Sequence, residues 1–157
     1  MKSKLFILST LFFLTFQYNT FAQKDFVWNH YKIGISLPDD FEVVQNTDNE
    51  FESDGIGMHL YMYIFEDGTV SSKDMKSATL KLARDLKFEA KDEFYDVEDD
   101  EFEGKYILGY KDGQQIMLAG LVDSKSTNLW VFIIFEDGDH IAEKDGLKIL
   151  NSIHKIK

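Results

Sequence analysis

Hydrophobic and polar residues alternate along several segments of the chain, with the period of two that is typical of β-strands. Alternation over 32–37 predicts a strand that Pro38 ends, because proline has no N–H for a sheet ladder. Three runs are apolar on both faces, which predicts central strands covered by packing layers above and below. These runs are 56–65, 115–122 and 129–135; further strands are predicted at 26–31, 41–47 and 105–110, with turns at Asp54-Gly55 and Asp112-Gly113.

Two segments change to the helical period, with apolar residues three and four positions apart. The first helix is predicted at about 72–87, where Ser71 and Asp74 resemble a capping box at its start. The second is predicted at about 140–152 and contains Gly146. A glycine inside a helix costs about 1 kcal/mol relative to alanine. A close approach of the second helix to the sheet would be a reason to keep it.

The order of these elements predicts a single α+β domain over residues 23–157. Segments 61–68 (YMYIFEDG) and 131–138 (VFIIFEDG) resemble each other at an offset of 70 residues, and each is a buried strand that runs into a helix. The chain therefore consists of two strand–strand–strand–helix units, a (βββα)2-like order. We expect an antiparallel sheet of about six or seven strands with helices packed on both faces.

The first 22 residues have the pattern of a secretory signal peptide. Two lysines give a positive start, and the apolar run 5–16 is much shorter than the ~20 residues of a membrane-spanning helix. Small residues at Thr20 and Ala22 predict cleavage between Ala22 and Gln23. We therefore expect an exported protein, periplasmic or secreted.

Composition and charge exclude several classes of function. The net charge is -11, and it becomes -13 without the signal peptide, which holds two lysines and no acid. Nucleic-acid binding needs clustered cations, whereas this chain has a single arginine, Arg84. The absence of cysteine excludes disulfides, thiolate metal sites and thiol catalysis. No segment after residue 22 is long and uncharged enough to predict a membrane span.

Three short patterns resemble the Mog1/PsbP-like fold family. Residues 37–41 (LPDDF) resemble its opening strand, turn and aromatic residue, 104–110 (GKYILGY) its mid-chain strand, and 149–153 (ILNSI) the end of its terminal helix. The resemblance covers most of 26–157 and implies an antiparallel sheet with helices on both faces. The family is known chiefly for non-catalytic roles, as a photosystem accessory subunit, a binder of a small GTPase, and envelope proteins. It shares no catalytic motif, so the resemblance implies no functional residues here.

Sequence motifs for catalysis and cofactor binding are missing. The four histidines lack the spacing of a helix-borne zinc site, and no nucleophile elbow is present. We therefore expect no catalytic residue, no cofactor and no metal site. His59 lies within a predicted central strand, where a satisfied, partly buried imidazole is the favoured interpretation. The alternative is an acid- and histidine-dependent hydrolase, in which His59 meets a Glu or Asp in a concave site.

Two acidic features have both a functional and a structural interpretation. The run 92–103 contains the 1, 3, 5 acid spacing of a calcium loop from Asp96, but Glu101 stands where such a loop needs glycine. A solvated acidic loop is therefore favoured over a Ca²⁺-stabilised extracellular domain. The acids 66–67 and 136–137 of the repeated EDG pattern could form a paired acidic site. Carboxylates just before a helix N-terminus also complement its dipole, which is the favoured explanation.

Aromatic residues on the two most apolar strands are the remaining candidates for binding. Tyr61, Tyr63, Trp130 and Phe132 could pave an exposed sheet face or pocket for a glycan, peptide or lipid. In strands this apolar, such residues more often form core between sheet and helix. Together these features predict an exported, non-catalytic binding or accessory domain of the cell envelope. Its partner would be an unknown protein, glycan or lipid.

Overall fold

The computed structural model describes residues 22–65, 70–90, 93–97, 101–125 and 127–157. Within them the protein is a mixed α+β structure with two helices and two sheets, in which every strand pairing is antiparallel. All of the predicted signal peptide except Ala22 lies outside these residues. No helix in the described part of the chain is long and apolar enough to cross a membrane.

The strands before the first helix are β1 (Gln23–Trp28), β2 (Ile33–Pro38), β3 (Glu42–Asn46), β4 (Glu50–Gly55) and β5 (Met58–Phe65). Helix α1 (Met75–Asp85) precedes β6 (Glu89–Ala90), β7 (Tyr95–Asp96), β8 (Phe102–Lys111), β9 (Gln114–Asp123) and β10 (Asn128–Glu136). Helix α2 (His140–Leu150) and β11 (His154–Lys155) follow. In the described residues five strands precede each helix, so the order differs from the predicted (βββα)2.

The strands form two sheets rather than the predicted single one. The large sheet has eight strands in the order β3-β4-β5-β10-β9-β8-β6, with β7 paired to β8. The small sheet has the order β1-β2-β11. The prediction was wrong because β2 pairs with β1 on one edge and with β11 on the other, apart from the large sheet. Trp28, Ile33, Ile35 and Leu37 of the small sheet are fully buried and belong to the main core cluster.

Strand β10 lies between β5 and β9 and is buried on both faces, as its sequence predicts. Val131 and Ile133 on one face belong to the core cluster that also contains the small sheet and α2. Trp130 and Phe132 on the other face belong to a second cluster with Ala83 of α1. The two clusters are separated by the sheet itself, because successive side chains of a strand point to opposite faces.

The first half of the chain contains the least predictable local structure. Strand β4 was not predicted, because Asp54-Gly55 looks like a turn; both residues belong to β4, and the turn is Ile56–Gly57. Gly57 takes the positive φ, +74°, that the turn requires. The predicted hairpin turn between β8 and β9 is confirmed, with φ of 52° at Asp112 and 85° at Gly113.

An aspartate precedes each helix, but only that of α2 caps its helix with the side chain; the Asp74 side chain makes no hydrogen bond to α1. Helix α1 begins at Met75 rather than at 72, and the Asp74 carboxylate accepts hydrogen bonds from the Ser71 hydroxyl and N–H at 2.7 and 3.3 Å. Asp139 caps α2 by accepting from two backbone N–H groups at 3.0 and 2.9 Å. The close approach considered for Gly146 is present, since a Cβ there would lie 3.3 Å from Ile133 Cγ2.

A buried ion pair joins the two sheets at the end of the chain. The side chain of Asp123, at the end of β9, is 4% exposed, and its Oδ2 lies 3.1 Å from Nζ of Lys155 in β11. Asp123 Oδ1 also accepts from the N–H groups of Lys125 and Thr127 at 2.9 and 2.7 Å. Burial raises the pKa of Asp123, but these hydrogen bonds together outweigh it and lower the pKa below its usual value.

Substitution of Gly120 tests the packing of α1 on the large sheet. A Cβ at this position would lie 2.5 Å from Trp130 Cζ3 and 2.7 Å from Thr79 Oγ1, both in buried residues. We expect Gly120→Ala to lower the free energy of unfolding by about 1–3 kcal/mol, measured by chemical denaturation. Gly146→Ala is the control, because the gain in helix propensity of about 1 kcal/mol offsets its milder contact. Equal destabilisation by both changes would contradict this packing.

Candidate functional site

The four aromatic residues singled out in the sequence lie together on one face of the large sheet. Strands β5 and β10 are neighbours, and their register places Tyr63 opposite Trp130 and Tyr61 opposite Phe132. Phe65, two residues beyond Tyr63, extends the same row, and we call these five residues the aromatic face. Sequence periodicity alone indicates which residues share a strand face. The pairing of β5 with β10 brings the two rows together.

The rings of the aromatic face form two stacked groups. The Phe65 and Trp130 ring centroids are 4.7 Å apart with an interplanar angle of 18°. Tyr63 and Phe132 are stacked at 6.0 Å and 14°, and Tyr61 lies 5.7 Å from Tyr63. These distances fall in the range where aromatic pairs attract one another beyond simple burial. The face is therefore an ordered row of rings.

The two strands contribute unequally to the accessible part of this face. Trp130 and Phe132 on β10 are 5% and 8% exposed, whereas Tyr61, Tyr63 and Phe65 on β5 are half-buried. The cause is the position of α1, which packs mainly on β6, β8 and β9. A helix of 11 residues is about 16 Å long and ~10 Å wide, whereas the seven strands along the sheet path span about 29 Å. Helix α1 therefore leaves the β5 side of this face partly open.

A groove of about 520 Å³ separates α1 from the Phe65–Trp130 stack. Its helical wall combines apolar and charged side chains, and Val70 lines it as well; the helical residues are Asp74, Ser77, Ala78, Lys81, Leu82 and Asp85. The groove has aromatic rings on one side and a charged helix on the other. This is the composition expected of a surface that holds an amphipathic ligand.

A row of carboxylates runs beside the aromatic face on the neighbouring strand β4. The register of β4 and β5 sets Glu50 opposite Tyr63, Glu52 opposite Tyr61, and Asp54 opposite His59. The Tyr61 hydroxyl donates a hydrogen bond of 2.6 Å to Glu50 Oε2, and the Gln45 side chain contacts the other oxygen. This row was not predicted, because it requires β4, which was not predicted either. The signal was present in Glu50, Glu52 and Asp54, which alternate with Phe51 and Ser53.

His59 lies between two of these carboxylates and is partly exposed. Its Nδ1 is 2.5 Å from Asp54 Oδ1, its Nε2 is 3.5 Å from Glu52 Oε1, and its side chain is 33% exposed. The expected satisfied, partly buried imidazole is what the structure shows. The nearest serine in sequence, Ser53, is fully buried and donates its hydroxyl to the Glu42 carbonyl at 2.9 Å. Ser53 is therefore not placed as a nucleophile that His59 could activate.

The phenols of the aromatic face hold their protons strongly. Burial, followed by the hydrogen bond to Glu50 and the charge of that carboxylate, raises the pKa of Tyr61 to about 12. Burial also raises the pKa of Tyr63. Both side chains are therefore neutral hydrogen-bond donors at physiological pH.

The other predicted candidates do not assemble into a second site among the described residues. Glu66 and Asp67, half of the proposed acidic pair, lie outside the described residues, as do positions 98 and 100 of the calcium-loop spacing. Asp96 of that spacing pairs with Lys105 across β7 and β8. No group of three or more potential metal ligands occurs in the described parts of the chain.

Comparison with known proteins identifies solved structures that share this fold. No family model matches the chain, and no curated protein matches it. The solution structure of cyanobacterial PsbP (CyanoP) from Synechocystis sp. PCC 6803 is 10% identical with a TM-score of 0.61, over 89% of this chain and 96% of that one. The chain has a PsbP-like fold. This match confirms, for PsbP and at the level of the fold, the family resemblance that rests on residues 37–41, 104–110 and 149–153.

A second solved structure has the same fold in a longer protein. A crystal structure from Bacteroides thetaiotaomicron VPI-5482 is 12% identical with a TM-score of 0.57 and matches 85% of this chain. The match spans 48% of that protein, so this chain corresponds to about half of it. At these identities the likeness shows the fold alone, and the site must be argued from its own residues.

The pKa of Tyr61 provides a test of the contact between β4 and the aromatic face. Glu50→Gln removes the charge that favours the neutral phenol, so we expect the tyrosinate titration of Tyr61 to move down from about 12. Because the folded-state pKa is raised, the stability from this group is present below pH 10 and is lost as the pH rises through about 12. NMR titration of the Tyr61 ring measures the pKa, and chemical denaturation at a series of pH values measures the loss of stability.

A matched control comes from Tyr95, whose hydroxyl donates to Glu93 Oε2 at 2.9 Å on the exposed surface. Glu93→Gln removes the largest cause of the raised pKa of Tyr95 and is expected to leave Tyr61 unchanged. If Glu50→Gln leaves the Tyr61 titration where it was, Glu50 does not contact the phenol in solution.

Proposed function

We propose that the protein is an exported, non-catalytic binding or accessory domain of the cell envelope that holds its partner on the aromatic face. The observation that supports this most directly is that Tyr61, Tyr63 and Phe65 are only half-buried, because α1 packs mainly on β6, β8 and β9 and leaves the β5 side of the sheet partly open. Aromatic rings held at fixed distances provide contact area with little loss of side-chain entropy on binding. The partner is a protein, glycan or lipid.

The features that support export are those of the first 22 residues. A positive start, a short apolar run and small residues at Thr20 and Ala22 are the pattern that signal peptidase recognises. Strand β1 begins at Gln23, the residue directly after the proposed cleavage site. This location, periplasmic or secreted, is consistent with a fold that lacks cysteine.

A hydrolase that uses His59 is the second candidate, because His59 meets both Asp54 and Glu52. Each ring nitrogen faces a carboxylate, at 2.5 and 3.5 Å. A histidine that serves as a general base needs one nitrogen directed at the group it deprotonates. A structural role, in which the imidazole joins β4 to β5, fits this geometry better than catalysis. A Ca²⁺-stabilised domain has less support, because Asp96 already contacts Lys105.

Processing in an exporting bacterial host tests the proposed signal. Expression of the full chain is expected to give a secreted or periplasmic species whose mass begins at Gln23. Ala22→Arg places a large, charged residue at the -1 position and is expected to abolish cleavage almost completely. Gln23→Ser, one position further along, is the control and is expected to be processed normally. An unprocessed wild-type chain in the cytoplasm would contradict export.

Site-specific crosslinking tests the aromatic face. A photoreactive phenylalanine analogue at Tyr63 is expected to crosslink one defined partner in the envelope of the producing cells, and mass spectrometry gives its class. Tyr110 is the control, since it is 42% exposed and lies on the other face of the sheet. Its neighbour Gly109 faces Phe88, on the same side as the aromatic face, so the Tyr110 side chain points to the opposite side. With the partner in hand, Tyr63→Ser is expected to weaken binding about tenfold, by analogy with the ~0.5–1.5 kcal/mol of an aromatic pair. Identical products from positions 63 and 110 would overturn the proposal.

A further inference from the structure

A second surface, away from the aromatic face, carries two isoleucines that solvent reaches. Ile56 in the turn between β4 and β5 is 90% exposed, and Ile141 in the first turn of α2 is 68% exposed. Both line one groove of about 410 Å³, with Phe41, Met58 and Ala142 among its other apolar residues. Isolated surface isoleucines are ordinary, but two that share one apolar groove form a continuous patch.

The structure holds both isoleucines firmly in place. The N–H of Ile56 donates to Asp40 Oδ2 at 2.7 Å, and the ring of Phe41 packs so tightly on Gly55 that a Cβ there would lie 2.3 Å from it. The N–H of Ile141 donates to Asp139 Oδ1 at 3.0 Å. Each exposed apolar side chain is therefore presented by a backbone that an aspartate fixes. A binding surface made in this way loses little conformational entropy when a partner docks.

The charges around the groove indicate what kind of partner fits. Its polar lining residues are Asp40, Asp139 and Asp145, and Asp145 pairs with Lys148 at 2.6 Å. A negatively charged rim around an apolar floor attracts cationic side chains and repels anionic ones. The net charge of -11 acts in the same direction at longer range.

The same charges disfavour two other occupants. A second copy docked by a twofold axis would bring both sets of three aspartates together, because the same patch is used on both subunits. A membrane surface carries anionic headgroups, which the rim would repel. A positively charged partner segment with apolar side chains meets both the floor and the rim.

We propose that this isoleucine groove docks a cationic amphipathic segment of a partner protein. The apolar side chains of the segment lie between Ile56 and Ile141, and its lysines or arginines lie against Asp40, Asp139 and Asp145. The site is separate from the aromatic face, since the groove is lined by residues of α2 and its N-cap, of segment 38–41, and of the β4–β5 turn with Met58, none of which belongs to that face.

Peptide binding measured by fluorescence anisotropy on the purified protein tests the proposal. The probe is a labelled 15-residue peptide of leucine and lysine with helical spacing, and its counterpart has glutamate in place of lysine. The lysine peptide is expected to bind, more weakly as salt rises, and the glutamate peptide is expected not to bind. Ile56→Ser and Ile141→Ser are each expected to weaken binding of the lysine peptide about tenfold.

Controls separate the groove from general attraction to an acidic protein. Val44→Ser removes another exposed aliphatic side chain, 56% exposed on β3, and is expected to leave binding unchanged. Tyr63→Ser is also expected to bind the lysine peptide normally, so a failure of the aromatic-face proposal would not affect this result. Thermal melts confirm that the variants fold.

Four outcomes would overturn the proposal. The first is the absence of binding by the lysine peptide, and the second is equal weakening by Val44→Ser and the isoleucine changes. The third is a dimer in sedimentation that Ile56→Ser dissociates, which would assign the groove to a second copy. The fourth is isoleucine-dependent binding to anionic phosphatidylglycerol vesicles in preference to the lysine peptide, which would assign it to a membrane surface.

Discussion

The burial of β10 on both faces is the constraint on which the rest of the structure depends. Val131 and Ile133 point into the core beneath the small sheet and α2, while Trp130 and Phe132 point to the side of α1. A slip of one residue in the pairing of β10 would exchange these two sets, so the register is strongly specified. That register fixes which residues of β5 stand beside Trp130 and Phe132. The aromatic face is thus a consequence of core packing.

The unequal layers on the two sides of the large sheet explain where binding surfaces arise. On one side, the small sheet and α2 pack together into the main core cluster. On the other, α1 packs on β6, β8 and β9, together with Phe88. Apart from Phe65, the residues of β4 and β5 on that side are polar or amphipathic, with carboxylates, His59 and tyrosines in place of aliphatic side chains. These residue types tolerate water at one end and packing at the other.

Much of the central fold could be predicted from the sequence because its signals are local. The hairpin at Asp112-Gly113 requires residues that accept positive φ, and the two-faced strands β9 and β10 have few polar side chains. Strand β4 was not predicted, because Asp54-Gly55 has the sequence of a turn. The turn in the structure is Ile56–Gly57, and the Asp40 side chain, from another part of the chain, stabilises it. Likewise, the small sheet depends on the pairing of β2 with β11, which are distant in sequence, so no local sequence pattern predicts it.

The candidate site was predicted in part for the same reason. Tyr61, Tyr63, Trp130 and Phe132 were recognised as one group because they occupy alternate positions of two apolar strands. The carboxylate row could not be found without β4, and the partial exposure of the tyrosines depends on the length and placement of α1. The area of a sheet that a helix covers, and the strand that pairs with β5, both depend on contacts between distant segments of the chain. A single segment of sequence therefore predicts neither of them.

The pairing of β11 with β2 has a consequence for how the chain acquires its structure. The last strand lies within the final four residues, and its Lys155 neutralises the buried Asp123. The complete small sheet and this ion pair therefore form only after residues 154–155 have left the ribosome. Until then one edge of β2 lacks its partner strand, and Asp123 lacks its counterion. Gly34 of β2 pairs with His154, so β1 and β2 are synthesised long before the strand that completes their sheet.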